Sequence, residues 1–302
     1  MKNAGIIPQN AGATPQNTGI TLRNAVLQVE IAVPYALYNL PRFDSAGIIR
    51  QVTLNGRVTF CASEHEGEDY ANGGIGLCGE FGIDGALGYA EAGAGDWVPK
   101  IGVGRIYKAD DAPYSHMGKY DFEKLDISYA AREDEAEFRA VQPDLNGFAY
   151  EYEKRVSISG NRLKIGYRLC NAGSKDIVTT EYCHNFVRFN DLNIGRDYAL
   201  EVREAGWPSA PAGGRPGTYT FAEEPKETYY MRDSEPKGTR SWRLTHAAAA
   251  GLAMSEKLSA DACRFALWGT NRVISPELFF GIDLKPGGSR EWSREYVFEE
   301  KC

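Results

Sequence analysis

The feature that most constrains the fold is a pair of alternating runs between Tyr150 and Gly173, YEYEKRVSISGNRLKIGYRLCNAG. In each run apolar and polar residues take turns, which is the pattern of a strand with one buried and one solvated face. The runs are joined by Ser159, Gly160 and Asn161, residue types that favour a tight turn. The apolar residues that share one face of the second run are Leu163, Ile165, Tyr167 and Leu169. The sequence therefore predicts a long antiparallel hairpin.

Most of the remaining chain repeats this pattern, with short strands separated by turn signals about every ten residues. The turn signals include Asn55-Gly56 and Pro286-Gly287. The alanine-rich stretch HAAAAGLAMSEKL has helical composition, but Gly251 interrupts it, and we expect part of it to be a strand. The sequence contains no dinucleotide fingerprint, no P-loop and no GxSxG motif. These observations favour an all-β fold, a large antiparallel β-sandwich, over alternating strands and helices.

The charge balance argues against nucleic acid as a partner. The chain carries 41 acidic and 34 basic side chains, a formal net charge of −7, whereas nucleic-acid binders usually present a basic patch. The N-terminal residues contain no apolar run as long as a signal peptide or a membrane span requires. We therefore expect a cytoplasmic protein with no nucleic-acid and no membrane partner, and a small neutral molecule fits the composition better. The oligomeric state is left open by the sequence.

The cysteines and acidic residues show no recognisable metal-site spacing. The six cysteines form no CxxC pair and no Cys/His set typical of zinc. Their even number is compatible with disulfides, but without a secretory signal we expect reduced thiols. The acidic segment from Glu64 to Asp69 suits either a hard cation or sugar hydroxyls, with a solvated loop as the alternative. We predict no resident metal.

The most unusual segment runs from Ile177 to Asp191, IVTTEYCHNFVRFND. It contains His184, one of only four histidines in 302 residues, within an otherwise apolar and aromatic run. Strand alternation would place Glu181 and Asn185 on the face opposite His184. Because neither face is purely apolar, we expect this strand to line a polar cavity.

A second segment of similar character lies near the end of the chain. It reads LWGTNRVISPE and ends at Glu277. If the two segments meet in space, His184 and Glu277 form an acid/base pair.

These segments, together with the order of strands, resemble the galactose mutarotase-like (aldose 1-epimerase-like) superfamily. The resemblance rests on TTEYCHNFVRFND and on ISPELFFGIDLKPGGSREWSREYVF, and extends from about Leu22 to Glu299. It includes a Pro-Gly turn, a following aromatic residue and a closing Tyr-x-Phe strand, formed by Pro286, Gly287, Trp292, Tyr296 and Phe298. The resemblance implies a β-supersandwich with a sugar site on one concave face. We accordingly divide the chain into a flexible leader, residues 1–18, and a single domain, residues 19–302.

The resemblance also implies a chemistry. In aldose 1-epimerases a histidine on a central strand acts as general acid and a late glutamate as general base, and His184 and Glu277 match these positions. The reaction opens a pyranose ring and needs no cofactor. An arginine from the first half of the chain contacts sugar hydroxyls, and Arg105 resembles it. The remaining candidates for substrate binding are Lys100, Glu181, Asn185, His116 and Trp268.

The central motif departs from the usual superfamily pattern. There the histidine is followed by two aromatic residues, Asn and Leu, whereas this chain has EYCHNF. Aligned on the Asn, the histidine position falls on Glu181, and His184 is displaced along the strand. His116 is the candidate for the second histidine of the usual pair.

Each assignment has a structural alternative. His184 fits a buried structural histidine, Lys100 and Arg105 fit surface cations, and Trp268 fits the core. Two further functions therefore stay open beside a mutarotase. One is a carbohydrate-binding protein without turnover, and the other is a lyase or hydrolase component on the same scaffold.

Overall fold

The computed structural model describes residues 19–67, 73–202, 217–233, 238–249 and 251–300. The described residues form 21 strands and no helix, so the predicted all-β class is confirmed. The strands are β1 Gly19–Arg23, β2 Leu27–Ala32, β3 Ile49–Leu54, β4 Val58–Thr59, β5 Leu77–Phe81, β6 Trp97–Lys100, β7 Gly104–Tyr107, β8 Phe122–Lys124, β9 Ile127–Ala131, β10 Glu135–Leu145, β11 Phe148–Ser159, β12 Arg162–Asn171, β13 Ile177–Asn185, β14 Tyr198–Val202, β15 Thr218–Thr220, β16 Tyr229–Asp233, β17 Ser241–His246, β18 Ala253–Leu258, β19 Arg264–Gly269, β20 Ile274–Leu284 and β21 Ser289–Glu299. Among these residues there is accordingly no helix suited to crossing a membrane.

The strands form two nine-stranded sheets and one three-stranded sheet. The first sheet has the order β1-β2-β3-β5-β13-β20-β19-β16, with β4 paired to β3, and the second has the order β15-β14-β17-β18-β21-β12-β11-β10-β9. The small sheet has the order β6-β7-β8. All strand pairings are antiparallel. The predicted antiparallel β-sandwich is therefore the observed architecture.

The hairpin predicted from sequence is formed by β11 and β12. Its register runs from Tyr150 opposite Asn171 to Ser159 opposite Arg162, and Gly160 in the turn has a φ of 56°. A positive φ costs glycine little, because it has no Cβ. The residues predicted to share one face of β12, which are Leu163, Ile165, Tyr167 and Leu169, are all buried. Each such side chain contributes on the order of 1.5–3 kcal/mol through burial.

The alanine-rich stretch also behaves as expected. Strand β17 ends at His246, a turn follows, and β18 begins at Ala253. Part of the stretch is therefore a strand. The predicted leader, residues 1–18, lies outside the described residues.

An ionic network joins the two large sheets through their buried faces. Arg294 on β21 donates from Nη2 to Oε2 of Glu181 on β13, at 2.8 Å, and its Nη1 bonds Glu256 on β18. Glu181 also accepts from Trp292 Nε1 at 2.9 Å. Arg294 and both carboxylates have essentially no exposed side-chain surface. Pairing and hydrogen bonding offset the cost of burying these charges, so β13 is anchored from inside the sandwich.

Candidate functional site

His184 and Glu277 meet on the outer face of the first sheet. The neighbouring strands β13 and β20 pair in a register that sets Thr180 opposite Gly281. The same register, continued by four residues, puts His184 opposite Glu277 with both side chains on one face of the sheet. His184 Nε2 lies 3.5 Å from Glu277 Oε1, and Ser275 Oγ donates to the same oxygen at 2.9 Å. The two side chains are only 6% and 4% exposed. The two segments singled out in the sequence thus converge.

Aromatic rings surround the imidazole of His184. It stacks on Phe186 with ring centroids 4.1 Å apart, and Trp268 meets it edge-on at 4.9 Å. Phe43 lies 6.0 Å away, also edge-on. Nδ1 of His184 is buried and has no hydrogen-bond partner within the described part of the chain. Packing therefore holds the ring in place. Within the described residues, Nε2 is the nitrogen of the ring that lies close to a titratable side chain, that of Glu277.

This environment changes the proton affinity of both groups. Burial lowers the pKa of His184 well below its ordinary value, and the nearby charges of Arg42 and His116 act in the same direction. Burial raises the pKa of Glu277 to about 8, although the hydrogen bond from Ser275 opposes this change. Burial disfavours the charged form of each group. At neutral pH the pair therefore holds one proton, which resides on Glu277.

A charged cluster lies beside the pair. Arg42 Nε donates to Glu80 Oε2 at 3.0 Å, and its Nη2 donates to the hydroxyl of Tyr182 at 3.2 Å. Tyr182 in turn donates to Glu80 Oε2 at 2.7 Å. Lys100 Nζ lies 3.5 Å from the other oxygen of Glu80 and is almost fully buried. Burial lowers the pKa of Lys100, while the charge of Glu80 raises it. These groups fix the arginine on the outer face of the sheet.

The backbone that carries Arg42 is pinned by its neighbour Asp44. Asp44 is fully buried and accepts from Tyr152 OH at 2.7 Å and from Lys154 Nζ at 3.1 Å. Its backbone N donates to the carbonyl of Gly79 on β5 at 2.8 Å. A buried carboxylate is stable only when paired and hydrogen-bonded in this way. Asp44 therefore sets the position from which Arg42 reaches the site.

Three further sequence candidates lie at or near the pair. Trp268 is half-buried and contacts His184 directly. His116, in the loop between β7 and β8, is also half-buried, and its charge acts on His184. Lys100 lies behind Glu80 and donates to the hydroxyl of Tyr114 at 2.7 Å, so it supports the cluster from within.

The structure places Arg105, Glu181 and Asn185 elsewhere, which corrects our assignment of these residues to the substrate. Arg105 lies on the small sheet, with its side chain 42% exposed, and pairs with Glu123. Glu181 and Asn185 point into the sandwich because strand alternation puts them opposite His184. Asn185 is fully buried and donates to the carbonyl of Pro276 at 2.6 Å. The alternative alignment, which put the histidine position at Glu181, thus selects a residue of the interior network.

Sequence reasoning missed Arg42, Glu80 and Arg264 as members of this face. Arg42 follows a proline in an irregular segment and carries no periodic signal. Tyr182 is predicted on this face by strand alternation, because it lies two residues before His184. Glu80 becomes a neighbour only when the distant strands β5 and β13 pair. Arg264 lies on β19, which pairs with the next strand along the chain, β20.

The acidic segment of the sequence is only partly described. Glu64 is half-buried, and its Oε2 accepts from the backbone N of Gly74 at 3.3 Å. Burial raises the pKa of Glu64. Glu68 and Asp69 lie outside the described residues. Over the ranges that the structure covers, no three His, Cys, Asp or Glu side chains are grouped as a metal site requires.

Comparisons with known proteins bear on the fold. The sequence matches no protein-family model and no curated protein. A galactose mutarotase-like protein from Lactobacillus casei is similar in structure, with a TM-score of 0.61 and 13% identity, over 93% of this chain and 100% of the other. A galactose mutarotase related enzyme from Lactobacillus acidophilus gives a TM-score of 0.57 at 11% identity, over 94% and 98%. An aldose epimerase homologue from C. elegans gives 0.52 at 11% identity, over 94% and 99%. The chain therefore has the galactose mutarotase-like fold, as its sequence resemblance indicated.

Proposed function

We propose that this protein interconverts the anomers of an aldose by acid–base catalysis at His184 and Glu277. The observation that carries the proposal is the 3.5 Å approach of Nε2 to Oε1 on the outer face of the first sheet. Similarity to galactose mutarotase-like structures supports it at the level of the fold. A small carbohydrate is the substrate class, and the reaction needs no cofactor.

The single proton on the pair is sufficient for the reaction. Glu277 gives its proton to the ring oxygen while His184 takes the proton of the anomeric hydroxyl, so the bond from C1 to the ring oxygen breaks and an aldehyde forms. The pair is then a carboxylate and an imidazolium, still with one proton. After rotation about the C1–C2 bond, the ring closes on the other face as His184 returns a proton and Glu277 accepts one. In ring opening, Glu277 is thus the acid and His184 the base, which reverses the roles that the resemblance implies, because burial leaves the proton on Glu277. In ring closure, the roles are those that the resemblance implies.

The surroundings of the pair suit a pyranose. The indole of Trp268 offers a flat apolar surface for one face of a sugar. Arg42, which Tyr182 and Glu80 hold in place, offers hydrogen bonds to its hydroxyls. Met117, 61% exposed, lies over Arg42 with its sulfur 3.5 Å from Nη1. Because the pair itself is almost closed to solvent, we propose that the loop of Met117, between β7 and β8, moves to admit the substrate.

Anomer exchange can be measured directly. Polarimetry on freshly dissolved α-anomers, over a panel of neutral and acidic aldoses, should show a protein-dependent rate for at least one sugar. His184→Ala and Glu277→Gln should each reduce that rate by about 10²- to 10⁴-fold, the range typical of general acid–base catalysis. Circular dichroism of both variants checks that the fold is retained. Sugar binding without any acceleration of exchange would favour the carbohydrate-binding alternative and contradict the proposal.

A further inference from the structure

Arg264 presents an unused hydrogen-bonding edge on the face that carries the acid/base pair. It is the first residue of β19 and pairs with Phe279 on β20, so both side chains lie on the outer side of the sheet. Its guanidinium carbon lies 3.8 Å from the centre of the Phe279 ring. Nη1 donates to Asp84 Oδ2 at 2.9 Å. The side chain is thus fixed by stacking and by one ion pair, and is only 8% exposed.

The other two nitrogens of this guanidinium have no hydrogen-bond partner among the residues that the structure describes. Nε and Nη2 of Arg264 are buried and make no hydrogen bond within the described ranges. Together they form one edge of the fork, with two parallel N–H donors. That edge matches two oxygens of one carboxylate or phosphate. A buried donor pair without an acceptor is costly, and a bound anion would remove this cost.

The local charge also favours an anion. Asp84, the sole ion-pair partner of Arg264 among the described residues, is 67% exposed, so water screens its negative charge. Arg232, on the edge strand β16, pairs with Ala266 and therefore faces the same side of the sheet. It is exposed. Two arginines thus flank this part of the face in a chain whose net charge is −7.

The position of Arg264 fits a substrate that also reaches the catalytic pair. Glu277 precedes Phe279 by two residues on β20, so the rows of Arg264 and Glu277 lie about 7 Å apart along the strand. The residue opposite Glu277 on β19 is Ala266, whose side chain is a single methyl group. Ala266 itself is fully buried. A hexose that reacts at C1 beside Glu277 therefore extends an acidic group toward Arg264 over this small residue once the side chains that cover it have moved.

We propose that Arg264 binds the carboxylate or phosphate of an anionic sugar, which makes the substrate of the proposed mutarotase an aldose acid or an aldose phosphate. This inference rests on the proposed function for the identity of the site, but the anion-binding edge is an independent observation. The proposed substrate is therefore an anionic sugar, whereas the composition of the chain favoured a neutral small molecule.

The test compares three sugars and two arginine variants. Exchange rates at equal concentration are measured by saturation-transfer NMR for D-glucose, D-glucuronate and D-glucose 6-phosphate. Wild-type kcat/KM should be at least about tenfold higher for one of the two anions than for glucose, and Arg264→Met should lower that value about 10- to 100-fold, as expected for loss of a bidentate charge-assisted contact. Exchange of glucose should change by less than about threefold in Arg264→Met, since it makes no such contact. Which anion is preferred distinguishes a carboxylate from a phosphate site.

Arg162→Met is the matched control, because Arg162 pairs with one carboxylate, Glu295, on the other sheet. It should leave all three rates unchanged. Should Arg264→Met fail to fold, Arg264→Lys keeps the charge and removes the fork, and the same loss of preference is expected. Equal rates for glucose and both anions, or equal losses for all sugars in Arg264→Met, would overturn the inference.

A binding measurement separates this inference from the proposed function. If no sugar is exchanged, calorimetric titration with glucuronate and glucose 6-phosphate still reports on Arg264. Binding of one anion that is at least about tenfold weaker in Arg264→Met, and unchanged in Arg162→Met, supports the anion site without the mutarotase. Binding of neither anion, or equal binding in both variants, contradicts it.

Discussion

At the scale of single residues, the site depends on where one proton resides. Neutral imidazole and protonated carboxyl are both favoured by burial, because each is the uncharged form. His184 thus accepts a second proton only well below its ordinary pKa, and Glu277 releases its proton near pH 8. We expect exchange activity to be constant around pH 7 and to fall as the pH rises above about 8. A profile of kcat/KM against pH checks this, and an alkaline limb far from 8 would contradict it.

The same proton links stability to pH. The pKa of Glu277 is raised in the folded protein. Its contribution to the free energy of unfolding is therefore fully present below the unfolded pKa near 4.5 and is lost as the pH rises through about 8. The lowered pKa of His184 has the opposite effect: it decreases the free energy of unfolding as the pH falls, and only below about pH 6.5. Between pH 6.5 and 8 the free energy of unfolding should therefore fall by about 2 kcal/mol more in wild type than in Glu277→Gln. Urea denaturation of both proteins at the two pH values measures this difference, and parallel curves would refute the assignment.

Two arginines from the first half of the chain can be compared as residues of the site. The resemblance pointed to Arg105, whereas the structure puts Arg42 beside Tyr182 and Glu80. Arg42→Met should lower kcat/KM by about 10- to 100-fold, since it removes a charged donor at the sugar site. Arg105→Met should change it by less than about twofold, because an exposed ion pair contributes little. Steady-state exchange rates decide between them, and a greater loss in Arg105→Met would restore the original assignment.

At the scale of elements, β13 serves both faces of the first sheet. The alternation of its residues, and hence the separation of His184 from Glu181 and Asn185, could be predicted from the sequence. Which face would be interior could not, because both faces carry polar side chains. That choice is made by β21 and β18, because Arg294 on β21 bonds Glu181 and Glu256 on β18 accepts from Asn185. Such partners lie more than 70 residues away in the chain and leave no periodic signal.

The interior network should therefore be needed for stability. Arg294→Met leaves two buried carboxylates without their cation, and the expected cost is about 3–5 kcal/mol. Arg162→Met, which removes the cation of an exposed pair, should cost at most about 1 kcal/mol. Urea midpoints of the two variants and wild type provide the comparison. Similar midpoints for the two variants would mean that the interior network contributes little.

At the scale of the whole molecule, the sandwich could be predicted from the sequence, but the order of the strands within its sheets could not. Turn signals and alternation fixed the strands, and the resemblance supplied the architecture. The site, however, depends on β5, β13 and the consecutive strands β19 and β20 lying side by side, although β5, β13 and this pair are far apart in sequence. It also depends on the irregular segment that carries Arg42 and on the loop of His116. Functional residues often lie on loops, and such loops have no periodic sequence pattern that would identify them.

The single domain predicted for residues 19–302 has a consequence for unfolding. Because Arg294 and Glu181 join the sheets through a shared interior, both sheets should unfold together. Far-UV circular dichroism and the intrinsic fluorescence of the tryptophans, which include the buried Trp242 and Trp292, should give coincident urea transitions. Separate midpoints would indicate two independently folding units and would contradict the single domain.

The most direct measurement is a double-mutant cycle of anomer exchange with His184→Ala, Glu277→Gln and the combined variant. Groups that share one proton act as a unit, so their losses should not add. Each single variant should lose about 10²- to 10⁴-fold, and the double variant should be no slower than the slower single variant. Losses that multiply in the double variant, or single variants that exchange anomers at the wild-type rate, would contradict a catalytic pair formed by His184 and Glu277.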